Sequence, residues 1–234
     1  MATSQRPPAP AGQRAGGSQQ AGAQRPARRL ASHPAVGFIP WILFWIIGGP
    51  STWETATIAA LVAAILLTGL SLDPGSPGQP RAPVRAALSH LKVLDVATVL
   101  FFAGMMVAAL VTSRHDVTVL DRYTQVISSG ALGIIALGSM VAGHPFTTDY
   151  AREQAPREYW HTALFRRINV VLTGAWAAVF LICAGLGFWA AQTPVKGLRD
   201  WLNWYIPIAL IFVAFRFTSW YPDQVRPSRA AAGR

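Results

Sequence analysis

Residues 170–191 read VVLTGAWAAVFLICAGLGFWAA, and none of these 22 side chains carries a charge. A helix needs about 20 consecutive apolar residues to cross the hydrocarbon core of a bilayer. An open strand would leave its backbone N–H and C=O groups without partners in lipid. The stretch therefore predicts a transmembrane helix and places the chain among integral membrane proteins.

Five further apolar blocks flank this stretch, and we interpret each of them as a helix. They cover residues 36–47, 52–72, 93–111, 123–142 and 201–221. The first block is short for a span and contains Pro40, which predicts a short or broken helix. We therefore predict an all-α fold, a polytopic transmembrane helical bundle of about six spans within residues 34–222.

The composition supports a membrane protein and excludes two soluble classes. Charged residues make up 13% of the chain, about half of the roughly 25% typical of soluble domains. Hydrophobic residues make up 52%, and the mean hydropathy is +0.34. The net charge of +10 would suit a nucleic-acid binder, but so few charged residues in total would not, so we expect no nucleic-acid partner. The hydrophobicity excludes disorder for most of the chain.

The two terminal segments differ from the rest. Residues 1–33 are rich in Pro, Gln, Gly, Ala and Arg and contain no acidic residue. They lack apolar periodicity, which predicts a disordered basic tail. Residues 223–234 are predicted to form a short cytoplasmic tail.

The distribution of basic residues predicts the orientation. Of the 20 Lys and Arg residues, 15 fall on one side of a six-span topology and four on the other, with Arg216 inside the last block. The larger group lies in the tail, in the links around residues 73–92 and 143–169, and after residue 222. The positive-inside rule then places both termini on the cytoplasmic side of the membrane, with anionic lipids facing the basic side.

Apart from Glu54, which can cap the start of the second block, two charged residues fall inside the apolar blocks, where charge is costly and is usually functional or paired. Asp95 lies near the start of the third block, and Arg216 lies near the end of the sixth. Both are predicted at similar depth on the cytoplasmic side, so we hypothesise a structural ion pair. Alternatively, Arg216 can extend alone to lipid phosphates. A transport or proton-relay role for the pair is a third interpretation.

The segment after the fourth block predicts two short helices. Pro145 ends that block, and Thr147 or Thr148 can cap a first helix. Pro156 can open a second helix at its first position. The apolar residues of that second helix, spaced i, i+4 and i+8, are Trp160, Leu164 and Ile168. This stripe predicts a helix lying at the cytoplasmic interface.

The same segment holds the densest group of polar residues, from which we take the candidate functional residues. These are Asp149, Tyr150, Arg152, Glu153, Trp160 and Asn169. In one interpretation Arg152 binds an anionic head group while Asp149 or Glu153 acts as a base. In the other, the segment is an interfacial loop whose charges pair with each other.

Specific catalytic or metal-binding patterns do not emerge from the sequence. Cys183 is the one cysteine, and the five histidines are scattered without a His-x-x-x-His spacing, so we expect no metal site. There is no Gly-x-Ser-x-Gly motif and no Walker loop. We therefore assign no catalytic residue and expect no cofactor.

A family resemblance rests on this segment and on the starts of three blocks. The run Pro145-Phe146-Thr147-x-x-Tyr150-Ala151-Arg152-Glu153 precedes Trp160, Phe165, Asn169, Thr173 and Trp176. The other matching features are Phe38-Ile39-Pro40, the Ala/Thr-rich start of the second block, Lys92 with Asp95, and Phe180. With these features, residues 36–222 resemble the intracellular septation protein A family of bacterial inner-membrane proteins and uncharacterised relatives that carry the Pro145–Glu153 motif. The basic tail and the Tyr-Ala-Arg-Glu segment depart from septation protein A itself.

The resemblance implies a role in cell-envelope integrity through contacts with division and elongation proteins, without established catalytic residues. We accordingly expect a non-catalytic interaction or scaffold protein of the inner membrane. A small transporter is one alternative, although internally repeated broken helices are not evident. A lipid-modifying enzyme that uses residues 144–160 is the other.

Overall fold

The computed structural model describes residues 34–49, 51–71, 92–111 and 119–225, and all regular structure within these ranges is helical. The tail predicted over residues 1–33, the link 72–91 and residues 226–234 lie outside the described residues. The prediction of an all-α fold is confirmed for the described part of the chain.

The helices follow the predicted apolar blocks closely. After a 3₁₀ turn at Pro34–Phe38, the α-helices are α1 (Ile39–Ile47), α2 (Trp53–Ser71), α3 (Val93–Val111), α4 (Thr124–Val141), α5 (Thr147–Gln154), α6 (Ala163–Gln192), α7 (Lys196–Asp200) and α8 (Ile206–Val225). A 3₁₀ turn, Arg157–Tyr159, separates α5 from α6, and a π-helical stretch, Trp201–Tyr205, joins α7 to α8.

Four helices are long and apolar enough to cross a membrane, and two are shorter. The four are α3, α4, α6 and the continuous helical stretch Lys196–Val225. The shorter apolar helices cover Val36–Ile47 and Trp53–Gly69. At about 1.5 Å of rise per residue, these two fall short of a hydrocarbon core of about 30 Å if they stand upright and alone. The prediction of apolar helices that can cross a membrane is confirmed, and four helices in the described part of the chain are long enough to do so.

The short helix α1 lies at the centre of the core. Pro40 occupies its first turn, where a missing N–H costs nothing, so this proline begins the helix and does not break it. The indole of Trp41 is fully buried, stacks on Phe101 with 4.7 Å between ring centroids, and donates to Thr98 Oγ1 at 3.0 Å. Trp45 Nε1 donates to Ser128 Oγ at 2.8 Å. Helix α1 is therefore held against both α3 and α4.

Helices α4 and α6 pack over much of their length because small residues let them approach. A Cβ atom on Gly133 would lie 2.8 Å from Leu181 Cδ2, and one on Gly187 would lie 2.7 Å from Gln125 Cγ. Trp176 of α6 stacks on Phe38, with 5.2 Å between ring centroids. The core thus continues from the α4–α6 pair to the start of α1.

Several helix ends meet at one end of the bundle, which we call the polar end. The backbone at Val93, which starts α3, contacts Asp149 of α5, and Tyr150 lies against Gly37. Leu67, near the end of α2, lines the same small cavity as Gly37. The starts of α1, α3 and α5 and the end of α2 therefore share one side.

The segment between α4 and α6 differs from the prediction in two respects. Phe146 occupies the N-cap position of α5 and makes no side-chain capping bond, so the predicted cap at Thr147 or Thr148 is wrong. The Thr147 hydroxyl instead donates to the Asn169 carbonyl oxygen at 3.0 Å, because α5 packs directly on α6.

The second helix, predicted to begin at Pro156, does not form as a separate helix. A 3₁₀ turn follows Pro156, and α6 begins at Ala163 and continues to Gln192 without interruption. Thr162 is the N-cap, since its hydroxyl accepts from the Phe165 N–H at 3.2 Å. Leu164 and Ile168 thus belong to the long apolar helix, whereas Trp160 lies in the turn before it.

Candidate functional site

Most of the predicted candidate residues lie in two adjacent groups at the polar end, and each group also contains residues that the sequence does not single out. Asn169 and Arg216 belong to neither group. The first group, here called the tyrosine cluster, contains Lys92, Asp95, Asp149, Tyr150 and Glu153. The second group, called the arginine cleft, contains Arg152, Trp160, His161, Phe165 and Arg166. Residues two apart on a helix point to nearly opposite faces, which is why Tyr150 and Arg152 fall in different groups.

Both carboxylate oxygens of Asp149 are engaged. Oδ2 accepts the Val93 backbone N–H at 3.1 Å, and Oδ1 lies 2.7 Å from His144 Nε2. The N–H groups of the first helical turn lack partners within their own helix, and the helix dipole favours a negative charge there. Asp149 therefore caps α3 from another helix.

Lys92 and Glu153 form the second link between α3 and α5. Lys92 Nζ lies 3.1 Å from Glu153 Oε1, and the two side chains are 6% and 37% exposed. The same ammonium lies 4.3 Å from the centroid of the Tyr150 ring, within the range of a cation–π contact. The buried lysine is thus stabilised by a carboxylate and an aromatic face together.

Tyr150 lies at the centre of the cluster and is 3% exposed. Its hydroxyl has no hydrogen-bond partner among the described residues. Burial raises the pKa of Tyr150 well above its usual value, and the charges of Asp95, Asp149 and Glu153 raise it further. The phenol accordingly stays neutral across the physiological range.

The proposed partners Asp95 and Arg216 have different surroundings. Asp95 lies in the first turn of α3, partly buried, and shares a small cavity with Gly37 and Thr98. Arg216 is exposed on α8, a helix that packs against α6. The hypothesis of an ion pair between them stays a prediction.

Asn169 has a packing role beneath α5. Its Nδ2 donates to the Phe165 carbonyl oxygen at 2.8 Å within α6, and its own carbonyl oxygen accepts from Thr147. Thr147 Oγ1 also lies 2.8 Å from Thr173 Oγ1. These buried hydrogen bonds fix α5 against α6, as the contacts of Asp149 and Glu153 fix it against α3.

Trp160 holds two arginines at the edge of the arginine cleft. The guanidinium carbons of Arg152 and Arg157 lie 5.5 Å and 5.7 Å from the centroid of the Trp160 ring. Trp160 Nε1 donates to the Ala155 carbonyl oxygen at 3.0 Å, which fixes the indole. Arg152 lines the cleft, while Arg157 lies outside its lining.

The cleft itself has a volume of about 520 Å³ and opens between the end of α4 and the start of α6. Its lining includes Arg152, Arg166, His144 and His161. None of the described residues that line it is acidic. The cleft is therefore basic, in contrast to the tyrosine cluster beside it, which contains three carboxylates and one lysine.

Several residues of the site are absent from the set predicted from the sequence, among them Lys92, His144 and Gly37. Lys92 was noted only for its place at the start of a block, and no spacing rule links it to Glu153. His144 was assigned to a loop, although its position five residues before Asp149 is a weak local signal. Gly37 gave no signal, and only the packing shows that the Tyr150 ring fills the space beside its Cα atom.

The arrangement is suited to fixing helices and to binding an anion. Within the described ranges, no group of three or more His, Cys, Asp or Glu residues is placed to hold a metal ion. The carboxylates of Asp149 and Glu153 are held by structural partners. No family model, curated protein or solved structure matches the chain, so the site is interpreted from its own geometry.

Proposed function

We propose that the chain is a non-catalytic interaction or scaffold protein of the bacterial inner membrane, which contacts proteins of envelope synthesis or cell division. The observation that carries this proposal is the engagement of Asp149 and Glu153 by α3. A general base must be free to take a proton from a substrate. Carboxylates that cap a helix and neutralise a buried lysine serve instead to make the polar end rigid.

The proposal includes six membrane crossings with both termini in the cytoplasm. The close contact of Gly37 with Tyr150 supports it, because the start of α1 then lies on the same side as α5. Trp176 Nε1 donates to Thr218 Oγ1 at 3.0 Å, which aligns α8 antiparallel to α6 and directs its end toward that side. Helices α1 and α2 are short, but they pack against each other, and α2 also packs against α3.

The residues of the septation protein A resemblance also support a shared plan. Lys92 pairs with Glu153, and Phe38 stacks on Trp176, although each pair is distant in sequence. Residues that define the resemblance thus form one contact region between α1, α3, α5 and α6. We include membership of that family in the proposal.

Partner capture tests the proposed function. The full chain, tagged at its C-terminus and extracted in mild detergent, is expected to copurify envelope-synthesis or division proteins, and its deletion is expected to give an envelope defect. A tagged multi-span protein of unrelated function serves as the control. Equal capture by both proteins, or a deletion strain with a normal envelope, would contradict the proposal.

Reporter fusions test the topology. A reporter that is active only in the cytoplasm is expected to be active after residue 234 and inactive between α3 and α4. Activity of a periplasmic reporter at the C-terminus would overturn the six-span arrangement.

A lipid-modifying enzyme is the second candidate, and one contact favours it. His144 Nε2 lies 2.7 Å from Asp149, and His144 also lines the basic cleft, which is the geometry of an oriented general base. The variant His144→Gln separates the two functions, because it removes the base but leaves the Asp149–Val93 bond. Full complementation of a deletion strain by this variant would exclude the enzyme function. Loss of complementation at a normal protein level would support it.

A further inference from the structure

We propose that the arginine cleft is a binding site for a phosphate group, as carried by an anionic phospholipid. The inference concerns the side of α5 that faces away from the tyrosine cluster. It rests on the proposed function only in assuming that the chain resides in a membrane.

The charge of the cleft is the first argument. Arg152 and Arg166 line it with His161, and no described acidic residue does so. A guanidinium presents a planar fork of N–H donors that matches two oxygens of a phosphate. Two guanidinium groups around one opening form the arrangement by which proteins commonly bind phosphate.

The position of Arg152 is the second argument. Its guanidinium lies over the fixed ring of Trp160, with Arg157 at a similar distance from the same ring. A stacked guanidinium loses less conformational freedom on binding than a free side chain does. Arg152 and Arg157 are like charges held near one ring, so an anion bound by Arg152 in the cleft would offset part of their repulsion.

An unsatisfied donor is the third argument. Arg152 Nε is buried and has no hydrogen-bond partner among the described residues. A buried donor without a partner typically costs about 1–3 kcal/mol, and such groups need an explanation. A shift of the Arg152 side chain toward the adjacent cleft would let a ligand oxygen supply the missing acceptor.

The surrounding backbone and the size of the cleft agree with this ligand. The cleft includes Ala163, the first residue of the 30-residue helix α6, whose N-terminus carries the positive end of a helix dipole. A volume of about 520 Å³ lies within the range of about 300–1,000 Å³ found for small-molecule sites. A phosphate with its attached glycerol fits in this space.

A lipid is the favoured source of the phosphate because of the cleft's location. The cleft lies where the apolar helix α4 ends and the apolar helix α6 begins, and Phe165 and Trp160 contribute apolar surface to it. Indole rings are enriched at this depth of a bilayer. The acyl chains of a lipid could then follow the outer surface of the apolar helices while its phosphate occupies the cleft.

The experiment is a lipid titration of the full chain in mild detergent, followed by native mass spectrometry. The probes are phosphatidylglycerol and the zwitterionic phosphatidylcholine. The cleft variant combines Arg152→Gln with Arg166→Gln. The matched control combines Arg157→Gln with Arg167→Gln, which removes the same charge from adjacent positions outside the lining.

We expect the cleft variant to bind its tightest phosphatidylglycerol at least about tenfold more weakly, a change equivalent to about 1.4 kcal/mol. The control variant is expected to change less than about threefold. Addition of glycerol 3-phosphate distinguishes a lipid phosphate from a soluble one. If it displaces the bound lipid, the cleft is assigned to soluble phosphate esters. If the lipid stays bound, the cleft is assigned to the lipid. Equal weakening in both variants, or equal binding of both lipids by the unsubstituted chain, overturns the proposal.

A second measurement needs no substitution and so is independent of variant folding. Phenylglyoxal modifies accessible arginines, and the modified positions can be mapped by mass spectrometry. Phosphatidylglycerol is expected to protect Arg152 and Arg166 but not Arg157 and Arg167. Protection of all four or of none contradicts a specific site, while a negative partner capture would contradict only the interaction role.

Discussion

The carboxylate of Asp149 accepts a hydrogen bond from the backbone N–H of Val93, 56 residues earlier in the chain, at 3.1 Å. Because Val93 is the first residue of α3, this bond supplies an acceptor for an N–H group of the first helical turn from a distant part of the chain. The partner oxygen of Asp149 binds His144 in the link that leads out of α4. One side chain thus joins the start of α3 to the end of α4.

The cap predicts a specific loss of stability. Asp149→Ala is expected to lower the free energy of unfolding by about 1–3 kcal/mol, because it leaves the partly buried Val93 N–H without an acceptor. Asp149→Asn keeps one oxygen acceptor and should lose less. Thermal unfolding in detergent, followed by far-UV circular dichroism, measures both changes. The control is Glu158→Gln on an exposed turn, and an Asp149→Ala variant as stable as this control would contradict the assignment.

The two members of the Lys92–Glu153 pair are expected to lower the free energy of unfolding by different amounts when each is substituted. Glu153→Gln leaves a buried ammonium without its carboxylate and is expected to be the more destabilising change, by about 1 kcal/mol or more. Lys92→Met keeps the apolar stem, and the partly exposed Glu153 can be hydrated. Chemical unfolding of the two variants and of the double variant gives the coupling between them. Equal losses for both single variants would show that burial does not govern this pair.

The contact of Gly37 with Tyr150 predicts that a substitution of Tyr150 restores stability lost through a substitution of Gly37. A methyl group on Gly37 would overlap the Tyr150 hydroxyl, whereas the next nearest atoms, Tyr150 Cζ and Leu94 Cδ2, would be 3.2 Å and 3.3 Å away. Gly37→Ala is therefore expected to destabilise the chain by about 1–3 kcal/mol through overpacking. Tyr150→Phe removes the overlapping oxygen, so the double variant should recover much of the loss in thermal unfolding. Strictly additive effects would rule out this contact.

The raised pKa of Tyr150 predicts a pH dependence with a definite sign. Burial, followed by the nearby carboxylates, raises the pKa of this phenol above its usual value of 10.0, so the folded state retains a proton that the unfolded chain loses. The stabilising contribution is complete below about pH 10 and is lost as the pH rises toward the folded value. Its slope reaches at most about 1.4 kcal/mol per pH unit. Comparison with Tyr150→Phe between about pH 8 and 11 isolates this residue, and parallel curves would contradict the prediction.

Local patterns predicted the helices well and their ends less well. The blocks 93–111 and 123–142 differ from α3 and α4 by at most one residue at each end. The start of α6 was placed seven residues too late, because Arg166 and Arg167 break the apolar run without breaking the helix. Pro40 was interpreted as a break, although a proline in a first turn is compatible with a helix start.

The candidate site was located correctly in sequence, but its contacts could not be derived there. Asp149, Tyr150 and Glu153 were grouped with Arg152 because they are neighbours in the chain. Their separation into a cluster and a cleft depends on which faces of α5 meet α3 and α6. The Asp95–Arg216 pair rests on similar predicted depth alone and stays a prediction.

The sequence by itself determined that this protein is a bundle of apolar helices with a polar segment after the fourth block. The reason is that a long apolar run must satisfy its backbone hydrogen bonds internally when it enters lipid, and a helix does so alone. Only the tertiary structure decided that Asp149 caps α3, that Lys92 meets Glu153, and that Arg152 lines a basic cleft. These contacts join helices that are distant in the chain, so they depend on how side chains pack around α1 and Gly37.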